Sequence, residues 1–257
     1  MAQLNPLAWS ALIFQFVAYY VVPIIIWMFL TRRLGISWRF VGLGSLTWLT
    51  ALPLIILVPL GANMLLGNGN PIQSQIVWGV ALSLAAGIAE ETSRYFYYRR
   101  NAMLREPSGL RAAIVAGAGH GGTEALVLGL QYVLAPLALL LFMAQSLPPY
   151  MQDSSAVANF ALIGGFSRIM FIAAHIGFSL LVWRAVSQRK PLYYVAAVAL
   201  HIIVDLLGFV APVVLPGSDW LILIPTLPLV GWALINIARE LRGERVGPRA
   251  MPMPIQP

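Results

Sequence analysis

The 257-residue chain contains no cysteine. Disulfide frameworks and thiol chemistry are therefore excluded, and cysteine usage says nothing of the compartment. Charge is also scarce. Charged residues make up 10% of the chain and hydrophobic residues 60%, whereas roughly a quarter of a soluble domain is charged. No HExxH zinc signature is present. What is abundant is long apolar sequence. Several runs approach or exceed the ~20 residues that cross a bilayer as a helix. They are continuously apolar and do not alternate with period two, which argues against a transmembrane barrel. The expected fold class is all-α, a polytopic transmembrane helical bundle.

The formal net charge is +7, but its distribution argues against nucleic acid as a partner. Arg32, Arg33 and Arg39, then Arg99, Arg100, Arg105 and Arg111, then Arg184, Arg189 and Lys190, then Arg239, Arg242, Arg245 and Arg249 lie between or after apolar runs. Seven spans are expected, at approximately 8–30, 40–62, 73–97, 111–134, 164–185, 191–212 and 219–238. The intervening loops alternate between basic and free of Lys or Arg, and fourteen of the sixteen basic residues fall on one side. The positive-inside rule then sets the N-terminus out and the C-terminus in. No Lys or Arg precedes the first run, so it reads as a retained helix rather than a signal peptide. Residues 135–147 are apolar and contain Pro136. An eighth full span there would spoil the charge alternation, so an extension of span four or a re-entrant segment is preferred. Residues 1–242 read as one membrane domain. Residues 243–257, rich in Pro and Arg, read as a flexible cytoplasmic tail. The expected location is a prokaryotic plasma (inner) membrane, with the lipid bilayer as a partner.

Ionisable groups within a membrane span are expensive and mark function. Here they form Glu90-Glu91-Thr92-Ser93-Arg94, Gly119-His120-Gly121-Gly122-Thr123-Glu124, Phe171-Ile172-Ala173-Ala174-His175 and His201-Ile202-Ile203-Val204-Asp205. Glu91 precedes Arg99 by eight residues, His120 follows Arg111 by nine, His175 precedes Arg184 by nine, and His201 follows Lys190 by eleven. At ~1.5 Å per residue all four lie about 12–17 Å from the basic boundary. That is near the middle of a hydrocarbon core ~30 Å thick. Spacing of four pairs Glu90 with Arg94, His120 with Glu124 and His201 with Asp205 on common faces. The glycines around His120 permit close approach of a helix or of a substrate backbone.

Carboxylates and histidines at one depth supply what water-mediated hydrolysis needs: a base for water, a proton donor and an oxyanion partner. The candidate groups are Glu90, Glu91, His120, His175 and His201, with Arg94, Glu124 and Asp205 beside them. Imidazole and carboxylate also suit zinc or another divalent metal with an open water position, and Glu91, His120, His175 and His201 are its candidate donors. Two other classes compete. Mid-membrane acids and histidines build proton or ion pathways in transporters, although no inverted repeat is evident. A non-catalytic membrane scaffold kept for binding is the third class; residue by residue, the structural alternative is that Arg94 braces Glu90 and that His120 and Glu124 hydrogen-bond each other. Arg168 reads first as snorkelling to the outer interface, with binding of a substrate carboxylate as its functional alternative. Phe171 reads as packing, and Trp9, Trp27, Trp38, Trp183, Tyr193 and Trp220 as interfacial anchors.

The motifs resemble the YhfC-like family of intramembrane peptidases, which is related to the CAAX prenyl protease and bacteriocin-processing (CPBP) proteins and to PrsW-type membrane proteases. The likeness rests on Glu90-Glu91-x-x-Arg94, Gly119-His120-Gly121-Gly122-x-Glu124-Ala125, Phe171-x-x-x-His175 and His201-x-x-x-Asp205, over roughly residues 75–210. It implies a glutamate- and histidine-dependent endopeptidase that cuts a membrane-associated peptide or protein. Glu90 then matches the water-activating glutamate, Glu91 the second glutamate, His175 the histidine of the second motif, and His201 with Asp205 the last motif. The sequence departs from CAAX-type relatives where Arg94 comes four residues after Glu90 rather than five, and where Asp205 stands for asparagine. Both departures leave the water ligands open.

Overall fold

Asparagine, aspartate and proline mark where the helices begin. Asn5 accepts from the Ala8 amide with Pro6 at the first helical position. Asn70 does the same for Ile72 and Gln73 ahead of Pro71, and Asp153 caps the helix that opens at Ser154. Such caps satisfy amides that a helix start leaves free, and proline has no amide to lose there. Gly35, in the left-handed region at φ 65°, closes the first helix.

A computed structural model describes residues 4–67, 69–142 and 152–243. Among these residues there is no strand. Seven helices are long and apolar enough to span a membrane: α1 Pro6–Leu34, α2 Arg39–Leu66, α3 Pro71–Arg100, α4 Pro107–Phe142, α5 Ser154–Ser187, α6 Leu192–Val214 and α7 Asp219–Leu241. A short turn of helix, Ala102–Arg105, joins α3 to α4. The expected all-α class and seven spans are both found. Residues 135–142 extend α4 through a π-helical turn at Leu130–Leu134, so they continue span four. Residues 143–147 and most of the tail, 244–257, lie outside the described residues.

Helix α5 is the axis of the bundle. Of its apolar stretch 72% is buried, against 11–39% for the other six spans. It packs on α1, α3, α4, α6 and α7. Helix α2 completes the layer by pairing with α3 and α4, and α6 pairs with α3. Leu54, Leu57 and Leu65 of α2 and Ile13 of α1 remain exposed, as expected of a face turned to lipid.

The glycine-rich stretch of α4 explains how the bundle closes so tightly. A Cβ at Gly119 would lie 2.3 Å from the Val41 carbonyl oxygen of α2, and one at Gly121 would lie 3.0 Å from the His175 side chain of α5. Gly122 meets the Trp27 ring of α1. One helix thus presses on three neighbours through positions without side chains, and the polar residues between them are brought together.

Candidate active site

The convergence expected from charge spacing is present. Glu90 and Glu91 come from α3, His120 and Glu124 from α4, His175 from α5, and His201 and Asp205 from α6. All but Glu124 are buried, and Glu124 is nearly so, its side chain 13% exposed. The ring centroids of His120 and His175 are 4.8 Å apart, and those of His175 and His201 are 5.4 Å apart.

Glu90 is the hub. Its Oε2 stands 2.7 Å from His120 Nε2, 3.8 Å from His201 Nε2 and 4.0 Å from His175 Nδ1. Glu91 faces elsewhere. Both of its oxygens accept from Arg94 Nη1, and Oε1 also lies 2.8 Å from His201 Nδ1. Arg94 is fully buried and also reaches His175 Nδ1 at 3.4 Å. Adjacent residues on a helix point about 100° apart, so one carboxylate enters the histidine cluster while its neighbour anchors the arginine.

Two expected pairings are therefore replaced. Arg94 binds Glu91, three residues back, and not Glu90. Residues three and four apart are both neighbours on a helix, and the histidines of other helices draw Glu90 away. His120 does not bond Glu124. Its Nδ1 meets Thr47 Oγ1 at 2.7 Å, while Glu124 meets His175 Nε2 at 2.6 Å and Arg168 Nη1 at 2.8 Å. The third pair is loose, since Asp205 Oδ2 is 3.7 Å from His201 Nε2.

Other side chains also take roles that the sequence did not suggest. Arg168 does not snorkel: it is buried, bonds Glu124, and lies over the Tyr19 ring at 5.1 Å. Trp27 is no simple anchor, because its indole Nε1 donates to the Ala118 carbonyl at 2.8 Å. Trp183 is buried and donates to the Glu106 carbonyl at 3.3 Å. Trp38 and Trp220 stay exposed, as expected of interfacial residues. Phe171 packs in the apolar cluster with Phe178 and Val204.

Four residues escaped the sequence reading. The Phe178 ring stacks on His201, with centroids 4.6 Å apart and planes 6° from parallel. Tyr98 and Ser179 hydrogen-bond each other at 2.6 Å in the core. Each lies one helical turn beyond a motif residue, Arg94 and His175, and that spacing was a readable signal. Thr47 had no such signal. It sits in an apolar run of α2, distant in sequence from every motif.

Among the described residues one group of donors is close enough to hold a metal: Glu90, His120, Glu124 and His175 each offer an atom, all within 4.8 Å of one another. It shares His120 and His175 with the donors expected from sequence. Glu91 lies outside it with its oxygens on Arg94 and His201. Within this group the carboxylates already pair with the imidazoles, Glu124 Oε2 at 2.6 Å from His175 Nε2 and Glu90 Oε2 at 2.7 Å from His120 Nε2. Two imidazoles and carboxylate oxygen form a set that suits zinc. The residues present therefore fit a divalent metal.

Residues 18–217 match a family model described as YhfC intramembrane metalloprotease. The chain belongs to the YhfC family. Every candidate site residue lies within the matched stretch. A YhfC relative from Bacillus subtilis (strain 168), named "Uncharacterized membrane protein YhfC", is 27% identical over 204 residues, 71% of this chain and 76% of that protein. No solved structure matches.

Proposed function

We propose that this YhfC-family chain is an intramembrane endopeptidase, a hydrolase that cuts a peptide bond of a membrane-associated peptide or protein. The observation that carries this reading is the position of Glu90: a buried carboxylate with a nitrogen from each of three histidines within 4.0 Å of its Oε2. In this reading His120, His175 and Glu124 hold a divalent metal, zinc foremost, as a two-histidine, one-carboxylate set. When bound, the metal supplies Lewis-acid polarisation and a more acidic water.

The remaining chemistry belongs to side chains. Glu90 is the base and takes the proton of the attacking water at its carboxylate. Glu91 is not free for that task, because Arg94 occupies both of its oxygens. It serves instead to hold His201 by Nδ1. His201 Nε2, 3.8 Å from Glu90 and 3.7 Å from Asp205, then carries a proton from carboxylate to leaving amine. The stacked Phe178 ring keeps the imidazole in plane and excludes water from its other face. The plasma membrane, with the N-terminus out and the C-terminus in, is the proposed setting.

Chelation tests the metal. Purified protein in proteoliposomes, given a library of single-span peptides, should lose cleavage on chelator treatment and regain it with added zinc. Undiminished cleavage by metal-stripped protein would contradict the metal, and absence of cleavage in every condition would contradict the hydrolase.

A further inference from the structure

The histidine motifs do not determine which nitrogen of His120 faces the site. A residue on another helix does. Thr47 of α2 is completely buried, and its Oγ1 donates to the Gly44 carbonyl at 2.6 Å while standing 2.7 Å from His120 Nδ1. A hydroxyl has one proton to give and two lone pairs. With the proton on Gly44, the Thr47 oxygen can only accept, and Nδ1 must carry the hydrogen. A neutral imidazole has a single N–H, so Nε2 is then left with its lone pair.

That lone pair points at Glu90 Oε2, 2.7 Å away. Two acceptors so close repel each other unless a positive charge is shared between them. We propose that Thr47 is a positioning residue that fixes His120 as the Nδ1–H tautomer and so presents an unprotonated Nε2 to the metal. The inference rests on the metal reading of the site. Partners that hold the outer nitrogen of a metal-bound histidine set ring orientation and ligand basicity in this way.

The fold shows how Thr47 comes to be there. Helix α2 crosses α4 at Gly44, where an added Cβ would lie 1.9 Å from the Ala116 carbonyl oxygen and 2.7 Å from the His120 amide nitrogen. Thr47 lies nearly one turn further along α2, which brings its hydroxyl onto the His120 ring. Its backbone carbonyl is fixed as well, accepting from Ser93 Oγ at 2.7 Å. The register of α2 is thereby tied to α4 and to α3 three residues beyond Glu90.

The test is zinc affinity, measured by competition titration with zinc alone on full-length protein in detergent. Thr47→Val keeps the branched shape and removes the hydroxyl, and should weaken zinc binding about 10- to 100-fold. Thr47→Ser should restore affinity close to wild type. Nitrogen NMR of the zinc-loaded, histidine-labelled wild type should find Nδ1 of His120 protonated and Nε2 on zinc. Equal zinc affinity in Thr47→Val and wild type would overturn the role of Thr47 and leave the metal reading standing, whatever the melting temperature of the variant. Zinc on Nδ1 would overturn it too. A wild type that binds no zinc would defeat the metal reading and this inference with it.

Discussion

Glu90 and Glu91 are adjacent in sequence and differ in everything their carboxylates touch. Glu90 enters the histidine cluster, whereas Glu91 neutralises the buried Arg94. The two should therefore respond differently to the same change. Glu90→Gln should cut catalysis roughly 10²-fold or more and leave thermal stability close to wild type. Glu91→Gln should lower stability as well, since it leaves Arg94 without its anion. Arg94→Met is the sharper probe, because it leaves the buried Glu91 carboxylate with His201 in place of its cation. Breaking a buried ion pair from one side costs about 3–5 kcal/mol, and thermal unfolding in detergent would measure it; an unchanged melting temperature would mean the pair is not what holds α3. Which residues meet was legible in the sequence, because depth follows from the distance to the flanking arginines. Which atoms pair was not. Pairing depends on how each helix is rotated, and Glu90 turned to His120 across the bundle rather than to Arg94 on its own face.

At the scale of elements, close helix contact is what assembles the site. The glycines around His120 had two readings, helix approach or substrate approach, and the structure uses them against α1, α2 and α5. Gly44 stood in no motif, yet it sets the crossing of α2 and α4. Gly44→Ala should force these helices apart, at about 1–3 kcal/mol by the usual cost of overpacking, and should weaken zinc binding because Thr47 is carried away from His120. Gly42→Ala is the matched control, since nothing lies within 4 Å of its Cβ position. Equal melting temperatures for both variants would contradict the tight crossing. The start of α5 offers a pH test. The Asp153 carboxyl is held below its usual range by the Ser155 amide and then its hydroxyl. A carboxylate lowered on folding stabilises above its unfolded pKa, and that help fades as pH falls through the folded value. Amide exchange at Ser155 should accelerate in that acid range, relative to segments away from the cap, and Asp153→Asn should remove the dependence; an unchanged profile in the variant would show that the cap is not the cause.

For the whole molecule, hydropathy made the seven spans legible, and the buried shares of α2 and α5, 11% and 72%, differ as those of a peripheral and a central helix must. Hydropathy could not identify α5 as the axis, because both helices read simply as apolar. Orientation rests on the basic loops, and the absence of cysteine makes it directly testable. A single cysteine placed at Arg105 should label only from inside intact cells or right-side-out vesicles, and one at Asn70 only from outside. The reverse pattern would invert the proposed topology and the face from which the site takes water. The proposed hydrolytic centre depends above all on Glu90 as its base. Cleavage of membrane peptides by reconstituted wild type and Glu90→Gln, at equal folded protein, tests it most directly. Glu90→Gln should cut cleavage roughly 10²-fold or more with zinc still bound; wild-type cleavage by that variant would contradict the role of Glu90 as base.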